Sequence, residues 1–288
     1  MNCPLCKSKN FYLVWNDKIR DGKNLWSKKK FKISKCNNCD LIFLNKRSKK
    51  LIDNKLFRKR FDGSNSILKY KNFNKPREER KLNIIKKHIN FKNRIILESN
   101  CGAATNLDLL KKTGKLTAGL DSYIYKSHVE KNHLFFSSLK ELKNNKINYD
   151  IILSLSELEH QFDLFKFLGI LKSKLKRNGI IVFRIPNYNN IYRFMLSEKF
   201  LKYDFRLSHN YYFTKKSCDY LFQKANFKII KSVGLQEYSV NHLIQYIKSG
   251  KRVNSYKNVI NNKISKEINF NLEKNFLSTS FLYIVANG

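Results

Sequence analysis

From residue 94 onward, the pattern of apolar and polar residues predicts strands and helices in alternation. Short, mostly apolar runs of the kind that form buried strands occupy residues 95–97, 116–120, 134–136, 151–153 and 180–185. The clearest helix is predicted at residues 164–175, where Phe165, Leu168 and Leu171 share one face at helical spacing. Alternating strands and helices are typical of a doubly wound α/β fold built on a parallel sheet.

The alternation continues to residue 286. A helix over residues 217–225, with Thr214 before it as a candidate N-cap, leads into a strand at 227–232. A helical stretch within 254–276 and a strand at 278–286 follow. A chain of 288 residues can hold one α/β domain of ordinary size and a small additional module.

The first 45 residues have a different pattern, which predicts a small ribbon. Short strands are predicted at 12–15, 26–33 and 41–44, with a hairpin turn at Asp21-Gly22. Residues 46–93 are basic and mostly helical, over 51–57 and 76–89, with Pro76 in the first turn of the second helix. We interpret this stretch as a connector that packs against the ligand pocket and can cover it.

Four of the six cysteines occur in two CxxC pairs, Cys3 with Cys6 and Cys36 with Cys39. Two such pairs can complete a tetrahedral zinc site, and in a chain that shows no secretion signal this spacing favours metal over disulfides. Because four thiolates fill the coordination shell, the predicted zinc is structural. A redox CxxC is the alternative, but it would not explain two pairs.

Residues 94–110 are the centre of the predicted fold. An apolar strand ends on Glu98, small residues follow, and a helix begins near Thr105. A small-residue turn lets a ligand approach the backbone, and the helix N-terminus offers unpaired N–H groups. Asp121 follows the next strand, where such folds place a carboxylate for ribose hydroxyls.

The segment from Glu98 to Ala104 resembles the first motif of class I S-adenosylmethionine (SAM)-dependent methyltransferases, acid-x-Gly-x-Gly-x-Gly. The acid and the middle glycine, Gly102, are kept, whereas Asn100 and Ala104 replace the other two glycines. Residues 149–160 resemble the fourth-strand motif of this family, in which an aromatic-Asp pair opens a strand and Glu-His follows. Residues 179–187, a glycine, an apolar strand and Pro-Asn, resemble its fifth strand.

The resemblance implies a Rossmann-like α/β sheet of seven strands whose last strand is antiparallel, with a small N-terminal zinc ribbon. The implied domains are residues 1–45, the zinc ribbon, 46–93, the helical connector or lid, and 94–288, the methyltransferase domain. The cofactor implied is SAM. Its expected contacts are Glu98, Asn100, Gly102, Ala104, Asp121, Ser137, Ser138 and Ser154.

Two places are candidates for acid–base catalysis. Residues 208–213 resemble a His-x-x-Tyr-Phe segment of the family, and His209 is the best candidate for a general base because imidazole titrates near neutrality. The alternative is a loop histidine that bonds to backbone. Glu159 and His160 could bind a metal or accept a proton, or they could cap the following helix and orient a loop.

Residues 236–250 resemble a substrate-side segment of methyltransferases linked to sugar and surface-polysaccharide biosynthesis. Tyr238, Asn241 and His242 fit that segment, whereas Glu237 replaces its arginine. Together with Tyr212, these three fitting residues are the candidate substrate contacts.

The formal net charge of +36 suggests a nucleic-acid or anionic-membrane partner, or a compositional bias toward lysine, asparagine and isoleucine. We favour the bias, because the lysines are spread through every segment. The charge would still attract anionic substrates such as nucleotide-linked sugars. No apolar run is long enough to span a bilayer, and a cytoplasmic location is expected.

The leading hypothesis is a SAM-dependent methyltransferase that acts on a small-molecule acceptor, a sugar or nucleotide-linked sugar. A methyltransferase fold that binds a partner without catalysis is the alternative, because Asn100, Ala104 and Glu237 depart from the pattern. A nucleic-acid-directed enzyme is less favoured, since the aromatic residues form no stacking pattern. The G-x-G-x-x-G spacing of NAD-dependent dehydrogenases does not occur in the cofactor turn.

Overall fold

Strands and helices alternate along most of the chain. The computed structural model describes residues 1–21, 25–47, 67–121, 125–249 and 259–288. The strands in these ranges are β1 Phe11–Asp17, β2 Phe31–Cys36, β3 Ile42–Leu44, β4 Ile95–Ser99, β5 Leu116–Leu120, β6 Leu134–Phe136, β7 Tyr149–Leu155, β8 Leu175–Pro186, β9 Tyr211–Tyr212, β10 Phe227–Leu235 and β11 Ser280–Asn287. The helices are α1 Ile67–Lys86, α2 Thr105–Leu110, α3 Lys126–Val129, α4 Leu139–Asn144, α5 Leu164–Ser173, α6 Ile191–Asp204, α7 Lys215–Lys224, α8 Val240–Ser249 and α9 Asn262–Lys274, with a 3-10 turn at Leu158–His160.

The larger sheet has seven strands in the order β10-β11-β8-β7-β4-β5-β6. Strand β4 pairs in parallel with β5 and β7, and β5 pairs in parallel with β6, while the last strand is antiparallel. This confirms the predicted Rossmann-like sheet. From β4 the chain first adds strands on one side and then, with β7, on the other. In such sheets, ligands bind outside the carboxyl ends of the strands at this reversal.

The chain forms two compact units. The first consists of Met1–Ser48, Arg184–Leu221 and Lys231–Tyr283, and the second of Lys49–Phe183, Phe222–Ile230 and Ile284–Gly288. The first contains the smaller sheet, in the order β1-β2-β3-β9, and the second contains β4 to β7. The domain boundaries expected at residues 45 and 93 stay a prediction.

The smaller sheet contains the predicted hairpin in shortened form. Strands β1 and β2 pair antiparallel, and β2 pairs antiparallel with β3. The second strand was expected from Trp26, but β2 begins at Phe31, and Trp26 forms only an isolated bridge to Arg20. Asp21 N donates to Leu25 O at 2.8 Å, whereas Gly22 of the predicted turn lies outside the described residues.

Helix α1 differs from its prediction. The helix was expected to start at Pro76, but it runs over Ile67–Lys86 with Pro76 inside it. Proline in a helix interior removes one backbone hydrogen bond. Leu82 and Ile85 are buried, so the carboxyl-terminal half of α1 contributes to the core. The other helix predicted in the connector, at residues 51–57, lies outside the described ranges.

Asn178 and Gly179 do not end the helix that was predicted at residues 164–175. Helix α5 ends at Ser173 and β8 begins at Leu175, so both residues lie within a strand. A Cβ atom on Gly179 would lie 2.8 Å from Tyr149 O. The glycine therefore permits a close backbone approach and does not end a helix.

A buried cluster fixes the turn after β4 in the second unit. Its members are Cys101, Ala104, Leu107, Tyr125 and Val129, with Ile67 and Phe135 packed against them. A Cβ atom on Gly119 of β5 would lie 2.6 Å from Cys101 Sγ. The turn therefore approaches β5 so closely that only glycine fits there.

Candidate functional site

The turn after β4 has a left-handed backbone at alternate residues. Asn100, Gly102 and Ala104 have φ angles of 60°, 51° and 58°. These are the three positions at which the methyltransferase pattern has glycine. A non-glycine residue in this conformation costs about 1–2 kcal/mol, less for asparagine. The backbone shape of a glycine-rich turn is thus kept although two of its glycines are replaced.

The side of the turn at Gly102 is open. A Cβ atom on Gly102 would meet no described atom within 4 Å. Asn100 Nδ2 donates to Ser156 O at 3.4 Å, so this side chain lies toward the loop after β7. Space next to the backbone is what a bound nucleotide-type ligand requires, and the residues present fit SAM in this respect.

Asp121 lies directly after β5, as predicted, and supports the turn. Its Oδ2 accepts a hydrogen bond from Gly102 N at 2.7 Å, and the residue is buried. A carboxylate has about four acceptor sites, so this bond leaves capacity for ligand hydroxyls. Asp121 therefore has one structural role and is placed for a second.

Glu98, the last but one residue of β4, is almost completely buried. Its Oε1 accepts from Asn106 Nδ2 at 2.7 Å, while Oε2 has no hydrogen-bond partner in the described part of the chain. Burial raises the pKa of Glu98 to about 8, against the lowering effect of the Asn106 hydrogen bond. The group is therefore mostly protonated at neutral pH.

Helix α1 contributes two charged residues that the sequence analysis missed. Asn106 Nδ2 also donates to Glu78 Oε2 at 3.0 Å, and Lys81 Nζ lies 2.7 Å from the same oxygen. The spacing of Glu78 and Lys81 indicates an ion pair on a helix surface. Nothing in the sequence pairs that helix with α2, which carries Asn106.

Ser137 and Ser138 belong to a helix cap. Ser138 Oγ accepts from Glu141 N at 3.2 Å, and the Glu141 carboxylate accepts from Ser137 N at 2.8 Å. The Ser137 hydroxyl also donates to Glu141. This is the capping-box arrangement at the start of α4. The expected contact of both serines with adenine would compete with the cap.

The end of β7 and the loop after it hold three of the predicted residues. Ser154 is buried and its Oγ lies 3.5 Å from Glu157 Oε2. Glu159 and His160 lie on the 3-10 turn, and buried Glu159 Oε2 has no hydrogen-bond partner among the described residues. The alternative role of Glu159 and His160 as a helix cap is wrong, because Asp163 Oδ1 accepts from Lys166 N and caps α5.

In the first unit, His209 lies on the loop before β9. It is buried, its N donates to Arg206 O, and its ring centroid lies 5.5 Å from that of Tyr212. The Tyr212 hydroxyl accepts from Arg206 N at 2.8 Å and donates to Arg206 O at 3.3 Å. Burial raises the pKa of Tyr212. This hydroxyl therefore holds the loop and is not open to a ligand without rearrangement.

The expected substrate contacts near α8 are engaged within the first unit. Asn241 Oδ1 accepts from Val259 N at 3.0 Å and from Ile260 N at 2.9 Å, and Nδ2 donates to Ile260 O at 3.0 Å. The Tyr238 ring packs edge-on against His242, with centroids 5.6 Å apart. Asn241 thus fixes the chain at residues 259–260, and its predicted substrate contact would require that these bonds break.

Glu237, which departs from the sugar-enzyme pattern, has an internal partner. Arg184 Nε donates to Glu237 Oε1 at 3.1 Å, and Arg184 Nη2 pairs with Oε2. Both side chains are less than one-tenth exposed. Since a buried arginine needs a counter-charge, the glutamate is explained by Arg184.

The four cysteines of the first unit form one cluster. The Sγ atoms of Cys3 and Cys39 are 3.6 Å apart, those of Cys6 and Cys36 are 3.5 Å apart, and all four lie within 4.8 Å of one another. A disulfide would require about 2.05 Å. A tetrahedral zinc with bonds of about 2.3 Å places its sulfur ligands roughly 3.8 Å apart. The donor set and its dimensions fit zinc.

Comparisons with known proteins give one consistent result. A family model described as a methyltransferase domain matches residues 70–232, more than half of the chain. A SAM dependent methyltransferase from Archaeoglobus fulgidus is similar in structure, with 20% identity, a TM-score of 0.50, and coverage of 80% of this chain and 97% of that one. A search of curated proteins gives no match.

A second similar chain comes from the complex between the Trm112 methyltransferase activator and a methyltransferase of Haloferax volcanii. It is 11% identical, with a TM-score of 0.50, and the match covers 75% of this chain and 92% of that one. At such identities, both structures show a shared fold. None of the helices that the structure describes has the length and hydropathy needed to cross a bilayer.

Proposed function

Because the chain belongs to the methyltransferase-domain family and is a methyltransferase, we propose that it uses SAM and methylates a small-molecule acceptor. The observation that carries this proposal is the turn after β4. Its left-handed backbone at three alternate residues and its open side at Gly102 suit a nucleotide-type cofactor.

Three residues would hold the cofactor. Gly102 would give its backbone room, Asp121 would accept hydrogen bonds from the ribose hydroxyls, and Glu98 would offer its unpartnered carboxyl oxygen. SAM supplies a methyl group that is activated by its sulfonium. The protein then has to orient the acceptor and exclude water, which accounts for much of the rate enhancement of such reactions.

His209 is the proposed general base for the acceptor. An imidazole can take a proton near neutral pH, and the buried loop before β9 limits its exposure to water. Glu159, buried with an unpartnered oxygen, and His160 beside it are the second candidates. Once an acceptor is known, loss of the base is expected to lower kcat by about 10²–10⁴-fold.

The proposed acceptor is a sugar or a nucleotide-linked sugar. Support comes from the resemblance of residues 236–250 to a segment of sugar-modifying enzymes, and from the net charge of +36, which would attract an anionic substrate. The same charge and a zinc ribbon would also suit a nucleic-acid acceptor, but we favour it less because the basic residues are spread through every segment.

The four-cysteine cluster is proposed to hold a structural zinc ion. Elemental analysis of the purified protein should give one zinc per chain, and Cys36→Ser should lower this value and the melting temperature. Cys218→Ser is the matched control, because Cys218 is also a buried cysteine outside any disulfide but lies outside the cluster. Equal zinc content in the two variants would refute the assignment.

Isothermal titration with SAM and S-adenosylhomocysteine (SAH) tests the proposed function. The wild-type protein should bind both at micromolar concentrations, and Asp121→Ala should weaken binding by at least about tenfold. Asp121→Asn keeps an acceptor for Gly102 N but loses the charge, and so separates support of the turn from contact with the ribose. No binding at millimolar cofactor would overturn the proposal.

A further inference from the structure

Two carboxyl groups from different elements share one amide in the second unit. Asn106 Nδ2 donates to Glu98 Oε1 at 2.7 Å and to Glu78 Oε2 at 3.0 Å. Lys81 Nζ lies 2.7 Å from Glu78 Oε2, and its side chain is 8% exposed. When both carboxyl groups are ionised, two anions therefore face one cation. Asp121 adds a further negative charge near Glu98, so the charged groups that face it are mainly anionic.

One carboxyl oxygen in this anionic cluster could accept a hydrogen bond from a ligand. Glu98 Oε2 is buried and has no hydrogen-bond partner in the described ranges. Because the Asn106 amide only donates at Oε1, the proton of a neutral Glu98 has to reside on Oε2. A buried oxygen without a partner is unfavourable in either protonation state. A ligand that brings a positively charged N–H donor would satisfy both the atom and the charge.

We propose that Glu78, Asn106 and Lys81 are positioning residues that hold Glu98 for the ammonium group of the cofactor, and that cofactor binding releases the Glu98 proton to solvent. This inference rests on the proposed use of SAM. The ammonium group is the partner because it carries N–H donors, which a sulfonium lacks. The O–H bond of the carboxyl group breaks, the buffer takes the proton, and the carboxylate pairs with the unchanged ammonium.

The groups that face Glu98 set the pH at which this proton leaves. They are Asn106 on α2, Glu78 and Lys81 on α1, and Asp121 after β5. Burial is the main cause that raises the pKa of Glu98 to about 8, Glu78 and Asp121 add to the rise, and Asn106 and Lys81 oppose it. Since binding releases a proton, cofactor affinity should increase as the pH rises toward 8.

Proton release is measured by titrating the protein with SAH at pH 7 in two buffers of different ionisation enthalpy. The slope of the observed heat against that enthalpy should correspond to nearly one proton released with SAH and with SAM. Methylthioadenosine, which lacks the amino-acid part of the cofactor, should bind without release. In Glu98→Gln, the release should be lost and SAH should bind at least about tenfold more weakly.

The positioning residues are tested by the direction in which their variants move the pH profile of SAH affinity. Glu78→Gln removes a charge that raises the Glu98 pKa, so the profile should move to lower pH and the release at pH 7 should decrease. Lys81→Met removes a charge that lowers this pKa, so the profile should move to higher pH. Glu79→Gln is the matched control, because Glu79 is next in the chain and its carboxylate pairs with exposed Lys75.

The outcomes separate this inference from the proposed function. Shifts in opposite directions support it, because a loss of fold would weaken binding at every pH. Binding of SAH without proton release, or shifts of both variants in the same direction, would overturn the inference and leave the use of SAM intact. No binding of SAM or SAH by the wild-type protein would overturn both.

Discussion

The turn after β4 and the helix α8 use their polar side chains in opposite ways. Near the turn, Glu98 Oε2 and Asn106 Oδ1 are buried without hydrogen-bond partners among the described residues. At α8, the Asn241 amide makes three hydrogen bonds, and the neighbouring Glu237 pairs with Arg184. Unsatisfied buried groups indicate where a ligand is expected, whereas satisfied groups indicate architecture. Substitutions in the two regions should therefore affect different properties.

The largest effect on stability is expected at α8. Asn241→Ala leaves the N–H groups of Val259 and Ile260 and the carbonyl of Ile260 without their partner. Asn241 is buried, but Val259 is exposed and Ile260 is half-buried, so each lost bond should cost about 0.5–1.5 kcal/mol, and denaturant unfolding should show a loss of roughly 2–4 kcal/mol. The SAH affinity of the folded protein should stay within about twofold, since the substitution lies outside the turn.

Ile247→Ala on the same helix is the control for this substitution. Ile247 is 45% exposed, and its loss should cost less than about 1 kcal/mol. A large loss of SAH affinity in Asn241→Ala, with stability unchanged, would reverse the assignment of the two regions.

Gly119→Ala should affect binding more than Asn241→Ala does. The new Cβ would lie 2.6 Å from Cys101 Sγ, so the Cys101 side chain has to shift, or the turn that carries it has to move. Overpacking of this kind costs about 1–3 kcal/mol, and SAH affinity should fall by at least about tenfold. In Gly169→Ala on α5, the Cβ meets no described atom within 4 Å, and a gain of up to about 1 kcal/mol is expected. Equal SAH affinities of Gly119→Ala and Gly169→Ala would show that the turn can be displaced without loss of binding.

The pH dependence of stability should distinguish Glu98 from carboxylates whose oxygens have partners, such as Glu79. Its pKa of about 8 in the folded protein is above the ordinary value of 4.5, so the folded state retains a proton that the unfolded state has lost. Stability should therefore decrease as the pH rises from about 5 to 8, by up to about 1.4 kcal/mol per pH unit. In Glu98→Gln, the free energy of unfolding should change less with pH over this window, whereas Glu79→Gln, at a half-buried residue of the same helix as Glu78, should retain the wild-type slope.

The smallest effect is expected at Ala104. Replacing it with glycine removes the penalty of a left-handed alanine, partly offset by the larger entropy of glycine in the unfolded chain. A gain of about 0.5–1 kcal/mol in the free energy of unfolding should result, with SAH affinity unchanged or improved. Loss of stability in Ala104→Gly would show that the alanine methyl contributes more to the cluster around Leu107 than its conformation costs.

Much of the fold was predictable because its signals are local. Buried parallel strands appear as apolar runs, and β4, β5 and β6 lie where the runs predicted them. Helix α6 and the role of Gly179 were missed for a physical reason. The apolar residues of α6 do not lie on one face, so its sequence shows no helical pattern. Gly179 is required by the close approach of the Tyr149 carbonyl, which is distant in the sequence.

The places of some candidate site residues were predictable, because the motif fixes their positions relative to the strands. Glu98 lies at the end of β4 and Asp121 directly follows β5, as expected, and the Ser138-x-x-Glu141 spacing of a capping box was readable from the sequence. Glu78, Lys81 and Asn106 were not predictable, because their roles depend on the packing of α1 against α2. Likewise, the sequence does not reveal that the side-chain amide of Asn241 forms hydrogen bonds with the backbone at residues 259–260.

The position of β11 has a consequence for synthesis on the ribosome. This strand is the last of the described chain, yet it lies between β8 and β10 inside the sheet. Until it emerges, β8 and β10 each present an unpaired edge, and such edges recruit strands from other chains. A nascent chain of this protein must therefore keep two sheet edges protected until Ser280–Asn287 has been synthesised, and a chain shortened before Ser280 should aggregate during translation.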